Sequence, residues 1–157
     1  MARVNEFGIR LDGAGYAPSI MEPTNACCAL CGRSFGTKMD RHEPWGGLMN
    51  REKSKELGLW YTLCHWGCHE GPGSVHAEAE VNRDLRRRVQ AQAMIVYGWD
   101  FDEWRRRFGK SEIGEDESLY AIGTVRRERV ERRRSIRESA PCTGGFRLVL
   151  DGPELPY

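Results

Sequence analysis

Long apolar runs are missing from this chain. No stretch approaches the roughly 18 consecutive apolar residues that span a bilayer, so neither a membrane-spanning helix nor a membrane partner is expected. The opening Met-Ala-Arg-Val-Asn-Glu-Phe-Gly segment lacks the apolar core of a secretory signal, which leads to the expectation of a cytoplasmic location. Net charge is nearly absent as well. Lys and Arg total 24 against 23 Asp and Glu, leaving +1, so bulk charge does not announce a nucleic-acid partner. No internal repeat is found, which excludes solenoid and propeller architectures.

What is present is enough for one small core. The 157 residues are 39% hydrophobic and 30% charged, which fits a single domain with extensions. Arginine is crowded locally, in Arg83–Arg88, Arg105–Arg107 and Arg126–Arg137. Such patches suit phosphate contacts through charge-assisted hydrogen bonds. Arg83, Arg86, Arg87 and Arg88 have few acidic neighbours and are the best candidates; in the tail Glu128, Glu131 and Glu138 favour a solvated helix.

Six cysteines are spaced unevenly: Cys27, Cys28, Cys31, Cys64, Cys68 and Cys142. Without a secretory signal a disulfide framework is not expected. Cys28 and Cys31 stand two residues apart and Cys64 and Cys68 three apart, so two close pairs can deliver four thiolates in the tetrahedron that zinc prefers. Such a site would staple the ends of a hairpin-like unit and add folding energy. In the ligand register Cys27 competes with Cys28, and His65 or His69 competes with Cys68. Cys142 stands alone in the tail.

Periodicity sketches the elements around these pairs. Gly8, Gly13, Gly15, Pro18 and Pro23 make residues 1–24 an irregular lead-in. A strand is expected in Thr37-Lys-Met-Asp-Arg-His-Glu, ended by Pro44 and Gly46-Gly47. A short polar helix follows from Asn50, closed by Gly58. Leu59-Trp-Tyr-Thr-Leu-Cys reads as a second strand. Val81, Leu85, Val89 and Ala93, continued by Val96 and Tyr97, mark the inner face of a long helix. Asp100 is a good N-cap for another, with Phe101, Trp104 and Phe108 on one face and Gly109 as a stop. Trp45, Trp60 and Trp66 are expected to pack the core. Residues 25–113 thus form the domain, and 114–157 a charged arginine-rich extension and partly disordered tail.

CxxC, then Asp40-Arg-His-Glu, then Leu-Cys-x-x-x-Cys-His resembles the zinc-bearing HNH (ββα-metal) endonucleases. The fuller string DRHEPWGG, NREKS, GLWYTLC, CH and GSVH is similar to small phage-encoded members of that superfamily. The resemblance covers roughly residues 25–113. It implies an α+β fold, a small zinc-stapled ββα-metal core with additional C-terminal helices. It also implies a divalent-metal-dependent endonuclease acting on DNA in the host cytoplasm, with RNA open as a substrate and protein partners undefined. His42 maps onto the general base, Asp40 or Glu43 onto a metal ligand beside it, and His69 onto the histidine that holds magnesium or another divalent cation. His76 competes with His69, and Asn50 is the nearest match to the family's asparagine. The sequence departs from the pattern at Arg41, which separates Asp40 from His42, and in the three-residue gap of the second cysteine pair. On a strand Asp40 and His42 share a face and Glu43 points to the other. The alternative is a non-catalytic zinc module that binds DNA or protein in phage replication or recombination.

Overall fold

A computed structural model describes residues 3–21, 27–33 and 37–122. The tail expectations, including Arg126–Arg137 and Cys142, lie outside them. The described residues form a mixed α/β unit with one two-stranded antiparallel sheet. In chain order the elements are β1 (Met39–His42), α1 (Leu48–Glu56), β2 (Tyr61–Cys64), a π-helical turn (His65–His69), α2 (Ala79–Tyr97) and α3 (Phe101–Phe108). No helix among the described residues is long and apolar enough to cross a membrane.

Both strands are four residues long, shorter than expected at their outer ends. Their register pairs Met39 with Cys64, Asp40 with Leu63, Arg41 with Thr62 and His42 with Tyr61. The His65 amide extends the ladder by donating to the Lys38 carbonyl at 2.8 Å. β2 is buried along its whole length, so its Tyr-Thr-Leu-Cys run forms the floor of the core.

The core closes over that floor with α2 and α3. Leu85, Val89, Ala93 and Met94 of α2 are buried together with Trp45, Trp99, Trp104 and Phe108. Trp104 stacks on Phe108 at a centroid distance of 4.2 Å and meets Trp45 edge-on at 5.1 Å. Burial of each such side chain contributes roughly 1.5–3 kcal/mol. The expected helical stripe holds except at Val96, which is exposed; Tyr97 packs against the core and donates its hydroxyl to the Leu57 carbonyl at 2.7 Å. α3 begins as its sequence requires, with Asp100 Oδ1 accepting from the Glu103 amide at 2.8 Å. The Glu103 carboxylate binds Arg106 and Arg107.

The lead-in is docked. The Ala17 and Ile20 amides donate to Lys55 and Gly58 carbonyls at 2.9 and 3.0 Å, and Trp60 Nε1 donates to the Ala17 carbonyl at 2.9 Å. This approach explains Gly58. Its φ is +69°, and a Cβ there would stand 2.1 Å from the Pro18 carbonyl oxygen. Gly98 has a similar φ of +66° but open space around it. Gly98→Ala should therefore cost about 1–2 kcal/mol, the left-handed penalty alone. Gly58→Ala should cost clearly more and loosen the lead-in, as read from denaturant midpoints and amide exchange of residues 17–20.

Candidate metal centre and histidine cluster

Two turns bring four sulfurs together. In the first, the Gly32 amide donates to the Cys28 carbonyl at 2.8 Å and the Cys28 amide to the Arg33 carbonyl at 2.7 Å, with Gly32 at a φ of +76°. This is the tight knuckle that a Cys-x-x-Cys-Gly segment builds. The second is the π-helical turn, in which the Cys68 amide donates to Cys64 Sγ at 3.3 Å. A Cβ at Gly67 would lie 3.0 Å from that sulfur, so the turn needs the space a glycine leaves. Cys31 Sγ lies 3.7 Å from Cys64 Sγ, and the sulfurs of Cys28, Cys31, Cys64 and Cys68 all fall within 4.8 Å of one another. Cys28 occupies the register position for which Cys27 competed, and Cys68 fills the fourth place.

This donor set fits a metal such as zinc: four thiols at the right mutual distances. The sulfurs perturb one another: hydrogen bonds from Cys28 and Cys68 pull the Cys31 thiol well below its usual range, while the same contacts push Cys28 and Cys68 up.

A second polar cluster lies beside the sulfurs. Asp40 and His42 do share a face of β1, and both reach His69. Asp40 Oδ2 accepts from His69 Nδ1 at 2.7 Å and is also hydrogen-bonded to His65 Nδ1. The His42 and His69 rings meet edge-on at 5.3 Å, and His76 closes the group at 5.4 Å from His42 and 4.8 Å from His69. His76 Nε2 is 3.1 Å from His69 Nε2. Two overlapping donor sets result, His42–His69–His76 and Asp40–His65–His69.

Environment separates these groups. His42 is 5% exposed, and burial pushes its imidazole down to about 4, so it is neutral at physiological pH. Its Nε2 is paired with Asn82 Oδ1 at 3.2 Å. Burial also pushes the Asp40 carboxyl up, but the hydrogen bonds from His65 and His69 outweigh this and hold it below the usual carboxylate range.

Other expected residues go elsewhere. Glu43 is buried but binds the Tyr16 hydroxyl and, at 3.1 Å, Arg51, so it belongs to neither donor set. Pro44 and the strand alternation turn it away. Asn50 sits inside α1; the asparagine that reaches His42 is Asn82 of α2. Asn82 and His65 were missed in sequence. Asn82 carried no assignment in the sequence, and His65 stood there only as an alternative to Cys68; its spacing of four from His69 was the available signal. Arg41 projects to the reverse face, where it binds Asp12 at 2.6 Å and lies over the Tyr16 and Trp60 rings, beside an open cleft of about 620 Å3. Trp45 and Trp60 pack the core as expected, but Trp66 is 74% exposed.

The four arginines of α2 do not form one exposed set. Arg88 is buried against Asp84 at 2.8 Å. Arg87 is gripped by Glu117 and donates to the Glu112 carbonyl at 2.8 Å. Arg86 donates to the Pro44 carbonyl at 2.8 Å. Arg83, whose side chain is 70% exposed, makes a 3.9 Å contact with Glu112. Intramolecular partners took the guanidiniums that a run of arginines promised.

No family model, curated protein or solved structure matches this chain.

Purified protein should carry close to one equivalent of zinc by elemental analysis. Stripping it with a chelator should unfold the hairpin, seen as loss of circular dichroism and of the exchange protection of β2, because metal affinity here is folding energy. A metal-free preparation with full protection would contradict the assignment. Arg88→Ala should destabilise the fold by about 1–3 kcal/mol, since it removes a buried guanidinium with its packing and its ion pair to Asp84. Arg83→Ala should leave the denaturant midpoint within about 0.5 kcal/mol of wild type.

Proposed function

We propose that the chain is a divalent-cation-dependent endonuclease that hydrolyses DNA phosphodiester bonds, with a ββα-metal core of the HNH type. One observation carries this reading: a buried, neutral His42 stands beside Asp40, His69 and His76 on a hairpin whose end is held by four clustered cysteines. Phosphodiester hydrolysis needs a base for water, stabilisation of charge at the phosphate and help for the leaving oxygen. The arrangement supplies a group for each need.

His42 is the base. Asn82 Oδ1 accepts from its Nε2–H, which leaves the Nδ1 lone pair to take a proton from water. Asp40 and His69 are the residues that would hold the cation, one anionic oxygen and one imidazole from the two sides of the hairpin end. When bound, a divalent cation stabilises negative charge on the phosphate and the leaving oxygen. Burial of His42 excludes bulk water from the back of the ring. His76, half-exposed at the rim, is placed to meet substrate.

A second reading, a non-catalytic zinc module that docks on a protein, is favoured by a different observation. Leu48, Met49 and Trp66 are 81%, 71% and 74% exposed, while most α2 arginines are spent on internal pairs.

His42→Ala separates the two. For a nuclease it should reduce cleavage of plasmid and oligonucleotide DNA by about 10²–10⁴-fold, while zinc content and DNA affinity stay near wild type. Absence of cleavage by the wild-type protein across DNA forms and divalent cations would instead support the docking module, as would loss of zinc from the variant.

A further inference from the structure

Arg41 separates Asp40 from His42 in the sequence, and it lines a cleft that the reading above does not use. We infer that this cleft, on the reverse face of β1, is a nucleotide-binding site in which Arg41 offers a flat face to a base and Arg10 offers charge to a phosphate. The site is distinct from the cysteine and histidine clusters and does not rest on the nuclease reading.

Three observations carry it. The first is size and lining. The cleft holds about 620 Å3, within the roughly 300–1,000 Å3 of small-molecule sites. Leu11, Ala17 and Trp60 give it apolar wall, and Tyr16, Arg10 and Arg41 add a phenol ring and two cations. The second is the way Arg41 is held. Its Cζ lies 4.4 Å from the Tyr16 ring centroid and 4.8 Å from that of Trp60. The two rings stand edge-on with centroids only 5.8 Å apart, so both lie on the same side of the guanidinium. Asp12 fixes one edge: its Oδ2 accepts from Arg41 at 2.6 Å, and its Oδ1 accepts from the Ala14 and Tyr16 amides at 2.9 Å each. The Arg41 side chain is nevertheless 39% exposed, and among the described residues no second acceptor takes its remaining N–H donors. A guanidinium packed on rings on one side leaves its other face for a planar partner, and bases stack on arginine planes as they do on aromatic rings. Because Asp12 and the rings already immobilise the side chain, little rotamer freedom is lost on binding.

The third observation is the balance of charge around the cleft. Asp12 is paired with Arg41, Glu43 with Arg51, and Glu52 with Lys55, whose Nζ lies 5.5 Å from the Tyr16 ring. Arg10 lines the cleft and is exposed, and no carboxylate among the described residues is paired with it. The uncompensated charge is positive, so the ligand is an anion, and a phosphate meets a guanidinium through charge-assisted, bidentate hydrogen bonds. Ring and phosphate together define a nucleotide. A free nucleotide and a nucleotide within a single strand present the same two groups, so both are sources of this ligand. An acidic peptide suits the site less. The turn amides of Ala14, Gly15 and Tyr16 are spent on Asp12, which leaves a peptide backbone few partners there.

The test is a titration of full-length protein, without added divalent cation so that cleavage plays no part. The probes are adenosine 5′-monophosphate, adenosine, ribose 5-phosphate and a short single-stranded oligothymidylate, read by calorimetry and by amide NMR shifts of residues 10–18. The monophosphate should bind and shift those amides. Ribose 5-phosphate, which lacks the base, should bind about 5–150-fold more weakly, the worth of one stacked base. Adenosine, which lacks the phosphate, should bind weakly and without salt dependence. Arg10→Ala should weaken the monophosphate by about 10–150-fold and flatten its salt dependence. Arg41→Lys keeps the charge and loses the plane, so the monophosphate and ribose 5-phosphate should then bind alike, an effect that a merely structural arginine would not produce. Should Arg41→Lys undock the lead-in, seen as lost exchange protection of the Ala17 and Ile20 amides, the exposed Arg10 decides the matter. Tighter binding of the oligonucleotide than of the monophosphate at these amides would identify a strand as the source, and binding of the monophosphate alone a free nucleotide. Failure of both to shift residues 10–18 would overturn the inference. So would unchanged affinity in Arg10→Ala together with an unchanged preference for the base in Arg41→Lys. A phosphotyrosine peptide that shifted these amides where the monophosphate did not would replace the nucleotide by a protein partner. Nucleotide binding by a protein that cleaves no DNA would sink the nuclease reading and leave this site standing.

Discussion

Four sulfur atoms gather at the end of the hairpin that carries the histidine cluster. The sheet consists of two four-residue strands, and an isolated hairpin of that size is at best marginal in water. Its open end is closed by the Cys28–Cys31 knuckle on one side and the Cys64–Cys68 turn on the other. Because Cys64 ends β2 and Cys68 lies one residue before His69, the ligand that closes the hairpin also sets where the histidines stand. A cation brought to the sulfurs would therefore be coupled to the geometry of the neighbouring polar cluster, and whatever it contributed to folding would be a contribution to that geometry.

The Asp40-Arg-His-Glu-Pro segment shows how a short strand sorts incompatible groups. Alternation sends Asp40 and His42 to one face, where they share His69, and Arg41 to the other, where Tyr16, Trp60 and Asp12 receive it. Glu43 is buried with Tyr16 and Arg51, which ties the lead-in and α1 to the strand's end. Each charge is compensated within a few ångströms, as a small core requires, since an uncompensated buried charge would cost more than the fold can spare. The same requirement explains the arginines of α2, whose proximity to Asp84, Glu112 and Glu117 turned a basic run into a set of internal clamps.

Much of this was legible in the sequence. The cysteine pairs announced a four-sulfur cluster able to hold a metal such as zinc, because their spacing is local and tetrahedral thiolate chemistry tolerates few alternatives. The inner face of α2, the Asp100 cap and the Trp104–Phe108 stripe followed from periodicity and from backbone donors that must be satisfied at helix ends. The shared face of Asp40 and His42 followed from the two-residue period of a strand. All of these are determined by neighbours within a few positions in the chain.

Tertiary structure alone decided the rest, because it depends on contacts between distant segments. That the lead-in docks on Gly58 and Trp60 needed the close approach of Pro18. That Asn82, not Asn50, reaches His42 needed α2 to cross the end of β1. That Asp40 gathers His65 together with His69 needed the β1–β2 register to bring residue 40 opposite the turn. Which arginine stays most exposed depended on where Glu112 and Glu117 returned to α2, and a linear pattern of charges carries no information on that.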